Sequence, residues 1–88
     1  MFEFDPDKSL ANLAKHGIDF EAAQALWDDD MRIVVDARSL SEARQLVIGR
    51  IDGRVWTAVI TFRDAAIRII SVRRARAEEV GRYESADY

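Results

Sequence analysis

Apolar and polar positions along the chain change period twice. Phe2 and Phe4 flank Glu3 in a two-residue alternation, which predicts a short strand with both rings on its core side. Asp5-Pro6-Asp7 then marks a helix start: an aspartate cap, a proline where its missing N–H does no harm, and an acid near the positive dipole end. The helix is expected to run to about His16. Leu10, Leu13 and Ala14 fall on one face, with Lys8, Asn12 and Lys15 along the opposite one. Gly17 ends it, being able to take a left-handed conformation without a Cβ penalty. Asp19 is expected to cap a second helix through about Trp27, with Phe20, Ala23, Leu26 and Trp27 as its apolar stripe. Asp28-Asp29-Asp30 stops it, because three adjacent carboxylates repel one another and favour a solvated loop.

From residue 31 onward the pattern turns to β-rich runs, Arg32–Asp36, Arg44–Ile51, Val55–Phe62 and Ile67–Arg73. Asp52-Gly53 is a two-residue hairpin signal, and Arg63-Asp64-Ala65 reads as a looser turn, so the last three strands form an antiparallel meander. Ala75 to Glu84 mixes Ala, Glu and Arg at helical spacing, although Gly81 interrupts it. The expected class is α+β in the order β-α-α-β-β-β-β-α: an antiparallel sheet with two N-terminal helices packed on it and a C-terminal helix.

A chain of 88 residues has room for one domain, spanning residues 1–88, and one core. Apolar residues make up 49% and charged ones 33%, the balance of a folding, water-soluble protein. Cysteine is absent, so packing must replace disulfides and thiolate metal sites. No apolar run approaches a membrane span and no basic stretch leads into an apolar one, which points to the cytoplasm. The net charge of −3 is unevenly spread: residues 1–42 hold ten acids and four bases, residues 43–88 six acids and nine bases, all nine arginine. Arginine's planar fork of donors matches phosphate, so this half suggests a local anion site, unless the arginines only solvate exposed strand faces.

His16 is the single histidine and the side chain best suited to move a proton near neutrality, though a cation at a helix end also serves as a cap. Lys8, Asn12 and Lys15 present two cations and an amide to a phosphodiester, or form a solvated helix face. Arg68 and Arg73, five residues apart, point to opposite faces of a regular strand and cannot share a site unless a bulge or the strand's end redirects Arg73. The three aspartates have no further metal ligand nearby in sequence. A cysteine nucleophile, a glycine-rich phosphate loop and a pair of histidines at metal-binding spacing are all missing.

Phe2-Glu3-Phe4-Asp5-Pro6-Asp7-Lys8, Asn12, and Lys15 through Ala23 together resemble the opening signature of BrnT-type toxins. Glu42-Ala43-Arg44, Ile48-Gly49-Arg50, Arg68 through Ala75, and Glu79 with Tyr83 follow in the family's order, so the resemblance covers nearly the whole chain. Phe4 stands where tryptophan is common, Val80 where arginine is usual, and Gly81 within the last helix. The resemblance implies a RelE-like fold and a metal-independent endoribonuclease with no cofactor that inhibits translation and growth. It also implies neutralisation by a BrnA-like antitoxin with a ribbon-helix-helix DNA-binding domain, in a toxin–antitoxin heterotetramer that touches DNA only through the antitoxin. Lys8, Lys15, His16, Arg44, Arg68 and Arg73 are the catalytic candidates it implies, with Asn12, Ser71, Glu79 and Tyr83 at the substrate. The competing class is a non-catalytic module whose arginines hold an acidic protein or nucleic acid without cutting it.

Overall fold

The computed structural model describes residues 1–37 and 43–86. Its elements follow as β1 (Phe2–Glu3), α1 (Pro6–His16), a 3₁₀ segment (Ala22–Asp28), β2 (Ile33–Ala37), β3 (Arg44–Ile51), β4 (Arg54–Arg63), β5 (Ala66–Arg74) and α2 (Ala77–Ser85). The α+β class and the β3-β4-β5 meander are as expected. Glu42, part of the Glu42-Ala43-Arg44 motif, lies outside the described residues.

Two expectations are corrected. The five strands lie in the order β1-β5-β4-β3-β2, and the sheet is mixed rather than antiparallel, since β1 runs parallel to β5 with Phe2 opposite Ile67 and Glu3 opposite Arg68. One α-helix, not two, precedes β2, so the order is β-α-3₁₀-β-β-β-β-α and the RelE-like layout with two N-terminal helices does not hold. The spacing of the buried side chains explains the second change. Phe20, Ala23 and Leu26, all 1% exposed or less, recur every three residues, the repeat at which 3₁₀ side chains eclipse. Asp19 accepts from the N–H of Ala22 at 2.8 Å, and Gln24 and Asp29 donate three residues back, to Glu21 at 3.1 Å and to Leu26 at 3.2 Å.

This segment and Ile18 close one sheet face over Val47, Trp56, Ala58, Ile60, Ile69 and Val72. Fully burying residues such as Phe20 and Leu26 contributes about 1.5–3 kcal/mol each. The opposite face carries a second cluster in which Tyr83 and Val80 of α2 pack with Ile48 and Val55, so helical elements cover both faces.

Helix α1 has the expected ends. Asp5 accepts from the N–H of Asp7 at 2.8 Å and of Lys8 at 3.4 Å, and Gly17, at φ 81°, donates to the carbonyl of Leu13 at 2.9 Å. Its orientation is the reverse of what apolar spacing suggests: Ser9 and Asn12 are buried, whereas Leu10 and Leu13 are 66% and 44% exposed. Polar anchoring decides this. Ser9 Oγ accepts from the N–H of Phe20 at 2.9 Å. The Asn12 amide donates to the carbonyls of Val72 at 2.9 Å and Ile18 at 2.7 Å and accepts from the Val72 N–H at 3.2 Å. Because β1 reaches only Ile67 and Arg68, Asn12 takes the place a neighbouring strand would hold further along β5.

Both hairpin loops have two residues in the left-handed region, Asp52 and Gly53 at φ 49° and 81°, and Asp64 and Ala65 at φ 50° and 69°. Alanine carries a Cβ penalty there that glycine avoids, partly offset by glycine's freer unfolded chain. Ala65→Gly is expected to raise stability by about 0.5–1 kcal/mol, read as a higher urea midpoint at unchanged m-value. A lower midpoint would reject strain at this turn.

Candidate functional site

Strand β5 carries Arg68, Ser71 and Arg73, and a bulge decides where they point. Ile60 pairs with Ile69 but Val59 pairs with Ser71, leaving Ile70 as the extra residue. Trp56, Ala58 and Ile60 belong to the core under the 3₁₀ segment, so Thr57, Val59 and Thr61 face the α2 side. Arg68 lies opposite Thr61, Ser71 opposite Val59 and Arg73 opposite Thr57, which puts all three on that side. The expected opposition of Arg68 and Arg73 is therefore corrected. One step beyond the Gln45–Ile60 pair, Arg44 falls opposite Thr61, whose hydroxyl donates to the carbonyl of Ala43 at 2.7 Å. Arg44, Thr61 and Arg68 thus form a row across three strands.

Arg73 is held hard. Its guanidinium meets Glu79 through two bonds, Nη1 to Oε1 at 2.7 Å and Nη2 to Oε2 at 2.9 Å. Glu79 Oε1 also accepts from the Thr57 hydroxyl at 3.0 Å and the Arg76 N–H at 2.8 Å, closing the first turn of α2. Helix α2 therefore persists through Gly81 because a four-donor carboxylate pins its start. Hydrogen bonding from Arg73 is the main reason the Glu79 carboxyl titrates at about 2 instead of 4.5; burial opposes it, and Arg76, Thr57 and the Arg73 charge reinforce it. Arg73 in turn holds its proton more tightly, chiefly through the Glu79 bond.

A carboxyl depressed on folding contributes stability that is complete above its unfolded value and is lost as pH falls through its folded one. Here the window runs from 4.5 down to about 2. The loss is of the order of 3 kcal/mol. Urea midpoints measured across that window should fall steeply for the native chain and far less for Glu79→Gln. Parallel slopes in the two proteins would reject Glu79 as the titrating brace.

The other candidates stand on α1. Lys8, Asn12, Lys15 and His16 line a shallow cleft of about 230 Å³ against Phe20, Ile70 and Ser71. Lys8 and Lys15 are exposed and His16 half-buried, while the Asn12 amide is spent on Ile18 and Val72. Ser71 belongs to both groups, lining this cleft and standing between Arg68 and Arg73 along β5. Arg68 also meets Glu3 at 3.3 Å.

Tyr83 is buried, at 7% exposure. Its hydroxyl donates to Asp29 Oδ2 at 2.6 Å, and the guanidinium of Arg50 sits 5.5 Å from its ring centroid. Asp29 also accepts from the N–H groups of Arg50 at 2.8 Å and Met31 at 2.9 Å. Burial works against its ionisation, but Tyr83, Met31, Arg50 and the Arg50 charge prevail and lower its pKa. The Asp28-Asp29-Asp30 run is thus not uniformly solvated: Asp29 turns inward and ties β3 to α2. Gly49 permits this approach, since a Cβ there would meet Leu26 at 3.1 Å and Asp29 at 3.3 Å. Nothing in the run marks its middle member. Thr57 and Thr61 were likewise hidden, being ordinary strand residues by composition.

Among the described residues no group of three or more His, Asp or Glu is placed to hold a metal ion, and no helix is long and apolar enough to cross a membrane. No curated protein matches the chain. A family model described as the ribonuclease toxin BrnT of type II toxin–antitoxin systems matches residues 4–79, a span that holds Lys8, Lys15, His16, Arg44, Arg68, Arg73 and Glu79. The chain belongs to the BrnT family of ribonuclease toxins of type II toxin–antitoxin systems.

Proposed function

We propose that this toxin is a cytoplasmic endoribonuclease that cuts RNA without a metal ion, so halting translation and growth. The observation that carries the reading is the cleft between α1 and β5, where the chain's one imidazole, His16, stands with two lysines and borders the strand that bears Arg68. A base removes the proton from a ribose 2′-hydroxyl, whose oxygen attacks the adjacent phosphorus. The bond from phosphorus to the 5′-oxygen breaks and that oxygen takes a proton, leaving a 2′,3′-cyclic phosphate and a 5′-hydroxyl. His16 or Lys8 moves the proton, while Lys15, Arg44 and Arg68 stabilise charge on the phosphoryl oxygens. Arg73, with both terminal nitrogens on Glu79, is a positioning residue, as are Asn12, Glu79 and Tyr83. Ser71 contacts the substrate.

The partner that restrains it is a BrnA-like ribbon-helix-helix antitoxin. A dimeric antitoxin places two toxin copies on one assembly, a heterotetramer, and reaches DNA on the toxin's behalf. Occlusion of the arginine-bearing face by acidic antitoxin residues accounts for neutralisation.

Purified protein freed of antitoxin is expected to cut RNA in EDTA, leaving cyclic phosphate ends by mass spectrometry, and to stop when the antitoxin is restored. Strict dependence on added divalent metal, or 3′-hydroxyl ends, would overturn the mechanism. RNA binding with no cutting at all would favour the non-catalytic module.

A further inference from the structure

A second, larger cleft of about 460 Å³ opens on the other side of the turn that ends α1, lined by Gly17, Ile18, Ala22, Ile51, Asp52, Arg54 and Trp56. His16 of the first cleft and Gly17 of the second are chain neighbours, about 3.8 Å apart at Cα. On the ribonuclease reading above, with the reacting phosphate beside Lys15 and His16, one flanking nucleoside falls next to this opening. Its wall is the kind a nucleobase uses: Ile18, Ile51 and Trp56 are apolar and flat or branched, while Asp52 in the β3-β4 turn and Arg54 at the start of β4, two residues on, bring opposite charges. Arg74 lies over the Trp56 ring at 5.6 Å, adding a cation to the same sheet face.

We propose that this cleft is a base-recognition subsite for the RNA strand and that it favours guanine. The inference rests on the ribonuclease reading above and adds its specificity. Guanine is the base whose edge offers both what a carboxylate accepts, the N1–H and N2–H donors, and what a guanidinium donates to, the O6 and N7 acceptors. Adenine and cytosine give the carboxylate one amino group, and uracil gives it one imide N–H.

The test uses a random-sequence single-stranded RNA pool, with cut sites read by sequencing. Ala22→Leu fills the cleft from an exposed position, and Asp52→Gly removes the carboxylate while keeping a residue that tolerates φ 49°. Binding is followed separately by titrating single-stranded DNA oligonucleotides, which lack the 2′-hydroxyl, carrying guanine or hypoxanthine at one position. Native protein is expected to cut beside guanosine about tenfold more often than beside other nucleosides and to bind the hypoxanthine oligonucleotide more weakly. Both variants should flatten the cut-site preference, and Asp52→Gly should lose the distinction between guanine and hypoxanthine. Cutting by the native chain with the same cut-site distribution in both variants overturns the subsite alone. If the native chain neither cuts the pool nor binds the oligonucleotides, the ribonuclease reading fails first.

Discussion

Arg73→Ala is expected to lower the unfolding free energy by about 3 kcal/mol and to abolish cleavage mainly through misplacement of β5 and α2. Glu79 is only 9% exposed at its side chain and Arg73 22%, so deleting the guanidinium strands a carboxylate among the Thr57 hydroxyl and the Arg76 N–H with its strongest partner gone. Breaking such a pair costs more than the pair itself contributes, because an uncompensated charge stays behind. Removing that charge as well should therefore recover part of the loss. Arg73→Ala combined with Glu79→Gln is expected to be more stable than Arg73→Ala alone, a coupling that urea denaturation of the four proteins measures directly. Additive losses would show that Arg73 does not act through Glu79. Arg73→Lys keeps the charge but not the two-pronged geometry and should fall between the native chain and the alanine variant.

Arg68→Ala is expected to do the opposite, cutting cleavage by about 10²-fold while shifting stability by less than about 1 kcal/mol. Its partner Glu3 lies 3.3 Å away with the two side chains 26% and 37% exposed, so solvent screens the pair and little folding energy depends on it. Its position matters instead. Arg68 shares a row with Thr61 and Arg44 and a strand with Ser71, which lines the α1 cleft, and on the proposed reading its charge meets a phosphoryl group held there. The loss should appear in kcat with KM little changed, because the charge it faces grows in the transition state. Native-like turnover in a folded Arg68→Ala protein would remove this residue from the site. Contrasting the two arginines on one strand separates a brace from a reacting contact.

The outcome at these positions shows how far residue patterns reach. Lys8, Asn12 and Lys15 were legible as a group because helical spacing relates residues four and seven apart whatever the rest of the chain does, and His16 stood out separately as the one histidine. Arg68 and Arg73 were legible as phosphate-suited residues but not as neighbours on one face, since parity along a strand fails once a bulge inserts Ile70. Glu79 was visible only through family likeness, which implied its importance without its task. The bonds to Arg73, Thr57 and Arg76 supplied the task.

By itself the sequence determined what neighbouring residues decide among themselves. The Asp5-Pro6 start and Gly17 stop of α1, the Asp52-Gly53 turn and the three strands around the two hairpins all depend on local φ/ψ preference and on caps within a few residues. Tertiary structure alone decided which side of α1 faces inward, that residues 22–28 wind as 3₁₀, that β1 runs parallel to β5, and that Asp29 turns into the protein. Those outcomes belong to partners far along the chain: Asn12 bonds Val72 across 60 positions, and Tyr83 bonds Asp29 across 54. Leu10 and Leu13 stay in water while Ser9 and Asn12 go inside because buried strand-edge and loop amides must be satisfied, and a serine hydroxyl and an asparagine amide can satisfy them where leucine cannot.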